Sequence, residues 1–163
     1  MPFRKGRKHN IRICNKIIKQ TRIIMKATVK LEKGMRLVGM NEKGLTTYFD
    51  SHPKFGGEES APTPMEVMLQ SLGGCTAMDV LSMIRKRRKT IEGFNIYLEA
   101  ERADEHPKVY TKVNLVYELI SPDSKIEELD HAVNLSQEKY CGISAMLKKS
   151  GCEVTWETVV KEI

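Results

Sequence analysis

The 163-residue chain has no CxxC pair, a single tryptophan, four histidines scattered along its length and only 6% aromatic residues. Zinc sites need cysteines and histidines at close, fixed spacings, so no metal is expected. A glycine-rich phosphate loop, a dinucleotide fingerprint and a GxSxG elbow are all missing, which removes the usual sequence support for nucleotide chemistry or serine hydrolysis. No run approaches the roughly 18 apolar residues of a membrane helix, so no bilayer span is expected. With four cysteines in 163 residues the chain is no disulfide miniprotein, and it is long enough for one domain with its own core.

Acidic residues are absent from positions 1–24, which carry Arg4, Lys5, Arg7, Lys8, Arg12, Lys16, Lys19 and Arg22. Those eight account for more than the formal charge of +6, leaving 19 basic residues against 21 acidic ones in 25–163. Nucleic-acid binding is therefore not expected of the body, which is slightly acidic and poor in stacking aromatics. Residues 1–24 are set apart as a basic extension and 25–163 as the domain. The extension admits three readings: a loosely transit-like leader, a weak anchor to an anionic surface, or an upstream start with Met25 as the natural first residue. It lacks the apolar core of a secretory signal, and a cytoplasmic protein is expected.

From Met25 the pattern alternates, with Ala27, Val29 and Leu31 on one side and turns at Lys33-Gly34 and Glu42-Lys43-Gly44. This predicts an antiparallel meander. Residues 50–63 lack a period, contain Gly56-Gly57 and two prolines, and read as a mobile surface loop able to act as a lid. Thr63 then stands as an N-cap, Pro64 at the first helical position and Glu66 as the far end of a capping box. The helix they open is predicted to run about 25 residues, or about 37 Å. Strands are predicted at 93–103 and 108–120, then a second helix from Ser121 onward, a break at Cys141-Gly142, a short third helix Ile143–Lys149 and a last strand Glu153–Val160. That order predicts an α+β fold of antiparallel sheets packed around two long central helices. Both helices are apolar over wide arcs, which suggests a homodimer that covers them.

Thiol chemistry is what these exclusions leave. Cys75 follows Gly73-Gly74 in the middle of the long helix, where each glycine costs about 1 kcal/mol relative to alanine. Either the glycines open a path to a reactive thiol, or they make room for a neighbouring helix and Cys75 is a small buried hydrophobe. Cys141 stands at a helix start, where free N–H groups lower a thiol's pKa; alternatively it is a simple cap.

The segment Ala61–Val80 (APTPMEVMLQSLGGCTAMDV), followed by Glu138–Leu147 (EKYCGISAML), resembles the two cysteine motifs of the OsmC/Ohr family. The resemblance runs from about Met25 to the C-terminus. It implies an intertwined α+β homodimer with active sites at the subunit interface and a thiol-dependent reduction of organic hydroperoxides in oxidative-stress defence. Cys75 would then be the peroxidatic thiolate and Cys141 the resolving thiol. The disulfide so formed would be reduced by an external dithiol, of lipoyl type or another, with no bound cofactor.

In one place the pattern departs from the family. Members with peroxidase chemistry place a glutamate directly after the helix-opening proline, paired with an arginine from the leading hairpins. Here Met65 follows Pro64, and Glu66 comes one position later, facing away from Cys75. Arg36 is the one arginine of the leading hairpins, either reaching the thiol across a dimer or lying on a solvent face. Glu66 and Arg36 are thus candidate activating groups. Asp79, one turn beyond Cys75, reads as a structural acceptor. Met65, Met68, Leu72 and Met78 are candidates for an apolar pocket lining that would favour organic peroxides. The alternative function is an OsmC-fold protein that senses thiol oxidation or binds a small ligand, with little turnover.

Overall fold

The computed structural model describes residues 24–162; the readings made above for residues 1–23 lie outside them. A meander of β1 (Ala27–Lys33), β2 (Arg36–Asn41) and β3 (Thr46–Phe49) forms one antiparallel sheet in the order β1-β2-β3. After a loop comes α1 (Pro64–Lys86), then β4 (Gly93–Arg102), β5 (Tyr110–Ile120), α2 (Ile126–Leu135), α3 (Gly142–Lys149) and β6 (Glu153–Lys161). The second sheet has the order β4-β5-β6. This is the mixed α+β architecture expected, with two sheets and three helices.

Two details differ from expectation. β6 runs parallel to β5, because α2 and α3 form the crossover between them, so the second sheet is mixed. Of the helices only α1, at 23 residues, is long; α2 has 10 and α3 has 8. Between these two lies a π turn, Ser136–Tyr140, which ends the second helix early.

The three helices lie on one face of the second sheet. β5 is its central strand and sends Val113, Leu115, Tyr117 and Leu119 inward with no exposure, as the two-residue period requires. Leu72, Val80 and Ile84 of α1 and Leu129, Ala132 and Val133 of α2 meet them, all fully buried. By length and composition α1 would pass for a membrane-crossing helix, but this inner face of it carries the core. Gly73 has a packing reason: a Cβ there would lie 3.0 Å from Leu98 of β4. At Gly74 a Cβ would meet nothing within 4 Å.

α1 begins as its sequence dictates. The Thr63 side chain accepts from the Glu66 N–H, and Thr63 N–H and hydroxyl donate to Glu66 Oε2 at 2.6 and 2.8 Å. These bonds hold the Glu66 carboxyl below the usual range.

The 50–63 segment is tightly organised rather than loose. Buried Asp50 accepts from the N–H groups of Ser51, Glu58 and Ser60 and from the Ser60 hydroxyl. The Ser60 hydroxyl and these N–H groups hold its carboxyl down at about 2. Arg36 donates to Ser60 O and Oγ, tying the loop to the meander. Gly57 lies so close to the loop's start that a Cβ would fall 1.8 Å from Ser51 O.

The meander has a different standing. All seven residues of β1 are exposed, with Val29 at 59% and Leu31 at 67%. Their alternation is that of a half-buried strand, yet among the described residues no element covers that face.

Three outcomes are expected. Thr63→Ala lowers the stability measured by urea unfolding by about 1 kcal/mol through loss of the cap. Gly57→Ala opens the loop to limited proteolysis while the second sheet and its helices keep their far-ultraviolet signature. The stabilisation that wild type holds over Asp50→Asn is full above the unfolded carboxyl pKa of 3.8 and shrinks as pH falls from there towards 2, since the folded pKa is lowered.

Candidate active site

Cys75 lies midway along α1, half-buried, directly after the two glycines. Cys141 arrives from another part of the chain. The π turn is closed by the Cys141 N–H donating to Ser136 O at 2.8 Å, after which Cys141 turns extended (φ −70°, ψ 101°) and becomes the N-cap of α3. Its Sγ accepts from the Ser144 N–H at 3.4 Å. The two thiols, distant in sequence, are near enough in the fold for Cys75 to bear on the pKa of Cys141, and both are free.

The pKa of Cys141 moves opposite to the expectation for a helix start. The N–H groups of Ser144 and Ile143 do lower it, but burial raises it more, and the neighbouring Cys75 raises it further. At 2% exposure, desolvation outweighs two peptide dipoles. A thiol held protonated in this way suits a resolving role better than first attack. Cys152 is buried just beyond the far end of α3, a helix about 12 Å long that Cys141 opens, and burial raises its pKa also.

The candidate activating groups are engaged elsewhere. Arg36 Nε donates to Glu32 Oε2 at 2.8 Å, its Nη1 to Ser60, and its guanidinium lies 4.8 Å from the Tyr48 ring centre. Glu66 completes the cap of α1. Among the described residues neither makes a hydrogen bond or ion pair with a thiol. Asp79 accepts from the Ser136 hydroxyl at 2.9 Å, the structural acceptor expected of it.

The four candidate lining residues separate. Met65 and Met68 line an apolar cavity of about 460 Å³ with Tyr110, Val109, Met146 and Leu147. Leu72 is fully buried in the core, and Met78 is 76% exposed on the outer face of α1. A helix alternates its faces every two residues or so, so one stretch of apolar side chains cannot all line one cavity. The loop and the first turns of α1 enclose a second cavity of about 480 Å³, lined by His52, Glu59, Glu66 and Gln70 among others.

Beneath the thiols lies a buried polar group that the sequence did not signal. Thr76 Oγ1 is 2.8 Å from Tyr117 OH and 2.9 Å from Ser136 Oγ; Gln137 Nε2 donates to Tyr117 OH at 2.6 Å, and Ser144 Oγ donates to Gln137 Oε1 at 2.6 Å. Burial pushes the Tyr117 phenol up to about 12. The one clue in the sequence is that small polar residues interrupt apolar faces, as Thr76 does between Leu72 and Val80.

A family model described as OsmC-like protein matches residues 56–157. Protein YhfA of Escherichia coli (strain K12) is 35% identical over 126 residues, spanning 77% of this chain and 91% of that protein. A hypothetical protein from Aquifex aeolicus VF5 superposes with a TM-score of 0.72 at 27% identity, over 86% of this chain and 99% of that one. An organic hydroperoxide resistance protein OsmC from Legionella pneumophila superposes with a TM-score of 0.61, covering 85% of this chain and 98% of its own; at 15% identity it shares the fold. Match to the family model across most of the domain, together with both cysteine motifs, leads to one conclusion: the chain belongs to the OsmC-like protein family.

Proposed function

We propose that the protein reduces organic hydroperoxides through a Cys75–Cys141 disulfide cycle. The observation that carries this reading is the meeting of two free thiols from distant parts of the chain, one half-exposed and one buried. The Cys75 thiolate attacks the distal peroxide oxygen; an S–O bond forms, the O–O bond breaks, and the alcohol leaves with a proton. Cys141 sulfur then attacks the sulfenic acid, forming the S–S bond and releasing water. An external dithiol, of lipoyl or similar type, returns two electrons and two protons by exchange. The resistance protein from Legionella pneumophila, whose fold this chain shares, supports the substrate class. The cytoplasm, where such dithiols are kept reduced, is the compartment this cycle requires.

An intertwined homodimer belongs to the same proposal. The exposed Val29 and Leu31 of the meander and the outward Met78 of α1 are apolar surface that a second copy would cover. Met65 and Met68 begin the apolar approach along α1, and Cys75 follows Met68 by seven residues, about 10 Å of helix.

A second reading is favoured by one observation: Arg36 and Glu66 are held by Ser60, Glu32 and Thr63 rather than by a thiol. In that reading the same disulfide forms slowly and reports oxidation, or the cavity holds a small ligand, with little turnover.

Consumption of cumene hydroperoxide with dihydrolipoamide as reductant separates the two. The peroxidase reading expects many turnovers per chain, no activity in Cys75→Ser, and a sulfenic acid trapped by dimedone in Cys141→Ser. A single stoichiometric oxidation without turnover selects the sensor, and a Cys75→Ser variant as active as wild type overturns both. Sedimentation equilibrium is expected to give twice the chain mass, and Leu31→Asp with Met78→Asp to shift it towards the monomer.

A further inference from the structure

The hydroxyl protons of the buried group beneath the thiols can each be assigned. Asp79 Oδ2 accepts the Ser136 hydroxyl proton at 2.9 Å. A hydroxyl has one proton to donate, so Ser136 Oγ can only accept from Thr76 at 2.9 Å. Thr76 has then used its proton, and Tyr117 must donate to it at 2.8 Å. The Tyr117 oxygen accepts the Gln137 amide at 2.6 Å, and the carbonyl oxygen of that amide accepts the Ser144 hydroxyl at 2.6 Å. One direction runs through the whole chain, Ser144 to Gln137 to Tyr117 to Thr76 to Ser136 to Asp79. None of the five donors exceeds 3% exposure, so water cannot replace a lost partner.

This ordered chain crosses four parts of the fold: α1, β5, the π turn and α3. Gln137 joins its α3 end, at Ser144, to Tyr117 of β5. It also accepts the Lys148 ammonium on its backbone oxygen at 3.0 Å, so the turn that delivers Cys141 is gripped from β5 and from α3 together. Ser144, the far end of the chain, places its own N–H on Cys141 Sγ. A π turn is a costly interruption of a helix, and among the described residues these polar contacts and the core around them hold it against α1.

We infer that Gln137 is the positioning residue of the thiol pair, and that the chain from Ser144 to Asp79 sets how readily Cys75 and Cys141 join. The inference rests on the disulfide cycle proposed above. Neither Gln137 nor Ser144 touches peroxide; each acts through the place it gives to Cys141.

The test is the equilibrium of the full-length protein with reduced and oxidised glutathione. In that exchange two cysteine S–H bonds break and one protein S–S bond forms, while glutathione disulfide accepts the two electrons and two protons. The linked Cys75–Cys141 peptide is quantified after acid quenching and alkylation, and urea unfolding is measured alongside. Gln137→Leu is expected to lower the disulfide equilibrium constant about tenfold and Ser144→Ala about threefold. Ser144→Ala removes a single hydroxyl and keeps the test decisive should Gln137→Leu fail to fold. Ser121→Ala, which removes a buried hydroxyl at the far end of β5, is the structural control. It is expected to lower stability yet leave the disulfide constant within about twofold of wild type. Variants that lose stability while their disulfide constant stays at the wild-type value overturn the inference and leave the cycle standing. Wild type that forms no Cys75–Cys141 disulfide overturns the cycle, and the inference with it.

Discussion

The Thr76 hydroxyl lies under the middle of α1 with no access to water, and much of the site follows from that one burial. An unpaired hydroxyl in such a place costs about 1–3 kcal/mol, so its neighbours must be polar and must be in register. Tyr117 on β5 and Ser136 after α2 satisfy it. Their positions fix where α2 stops, and the π turn that follows presents Cys141 to Cys75. Core packing would permit several placements of the crossover; directed hydrogen bonds narrow them to one.

Burial also divides the labour between the thiols. Cys141 sits where peptide N–H groups favour a thiolate, yet its pKa is raised because desolvation is larger than their combined effect. A thiol in that environment is held protonated and is a weak nucleophile until it loses its proton. Cys75, half-buried next to an open Gly74, is the sulfur that a small oxidant can approach. The apolar cavity at Met65 and Met68 is lined by the same helix that carries Cys75.

The meander stands apart from this machinery. Its strands carry an apolar alternation that the described residues leave uncovered, and the Asp50 hub and Arg36 link it to the rest. That arrangement leaves residues 27–49 outside the buried core of the described residues. Arg36, in the leading hairpins, is engaged by Glu32 and Ser60 rather than by sulfur.

Much of the fold was legible because its signals are local. The Thr63–Glu66 capping box, the strands either side of residues 104–107 and the short helix before Ser150 each follow from neighbouring residues, and each is present. The loop of residues 50–63 was misread as loose because its order comes from Asp50 gathering donors up to ten residues away, which composition does not show. The split of the second helix was missed because Ser136-Gln137-Glu138-Lys139-Tyr140 contains no helix breaker; the π turn is imposed by partners on α1, β5 and α3.

By itself, then, the sequence determined the order of elements, the long helix and the family, since periodicity, capping and motif are written within short windows. Only the tertiary structure decided the parallel pairing of β6, the protonated character of Cys141 and the chain of hydrogen bonds that sets it beside Cys75. Those depend on distance and desolvation between segments far apart along the chain, and neither quantity exists until the chain has folded.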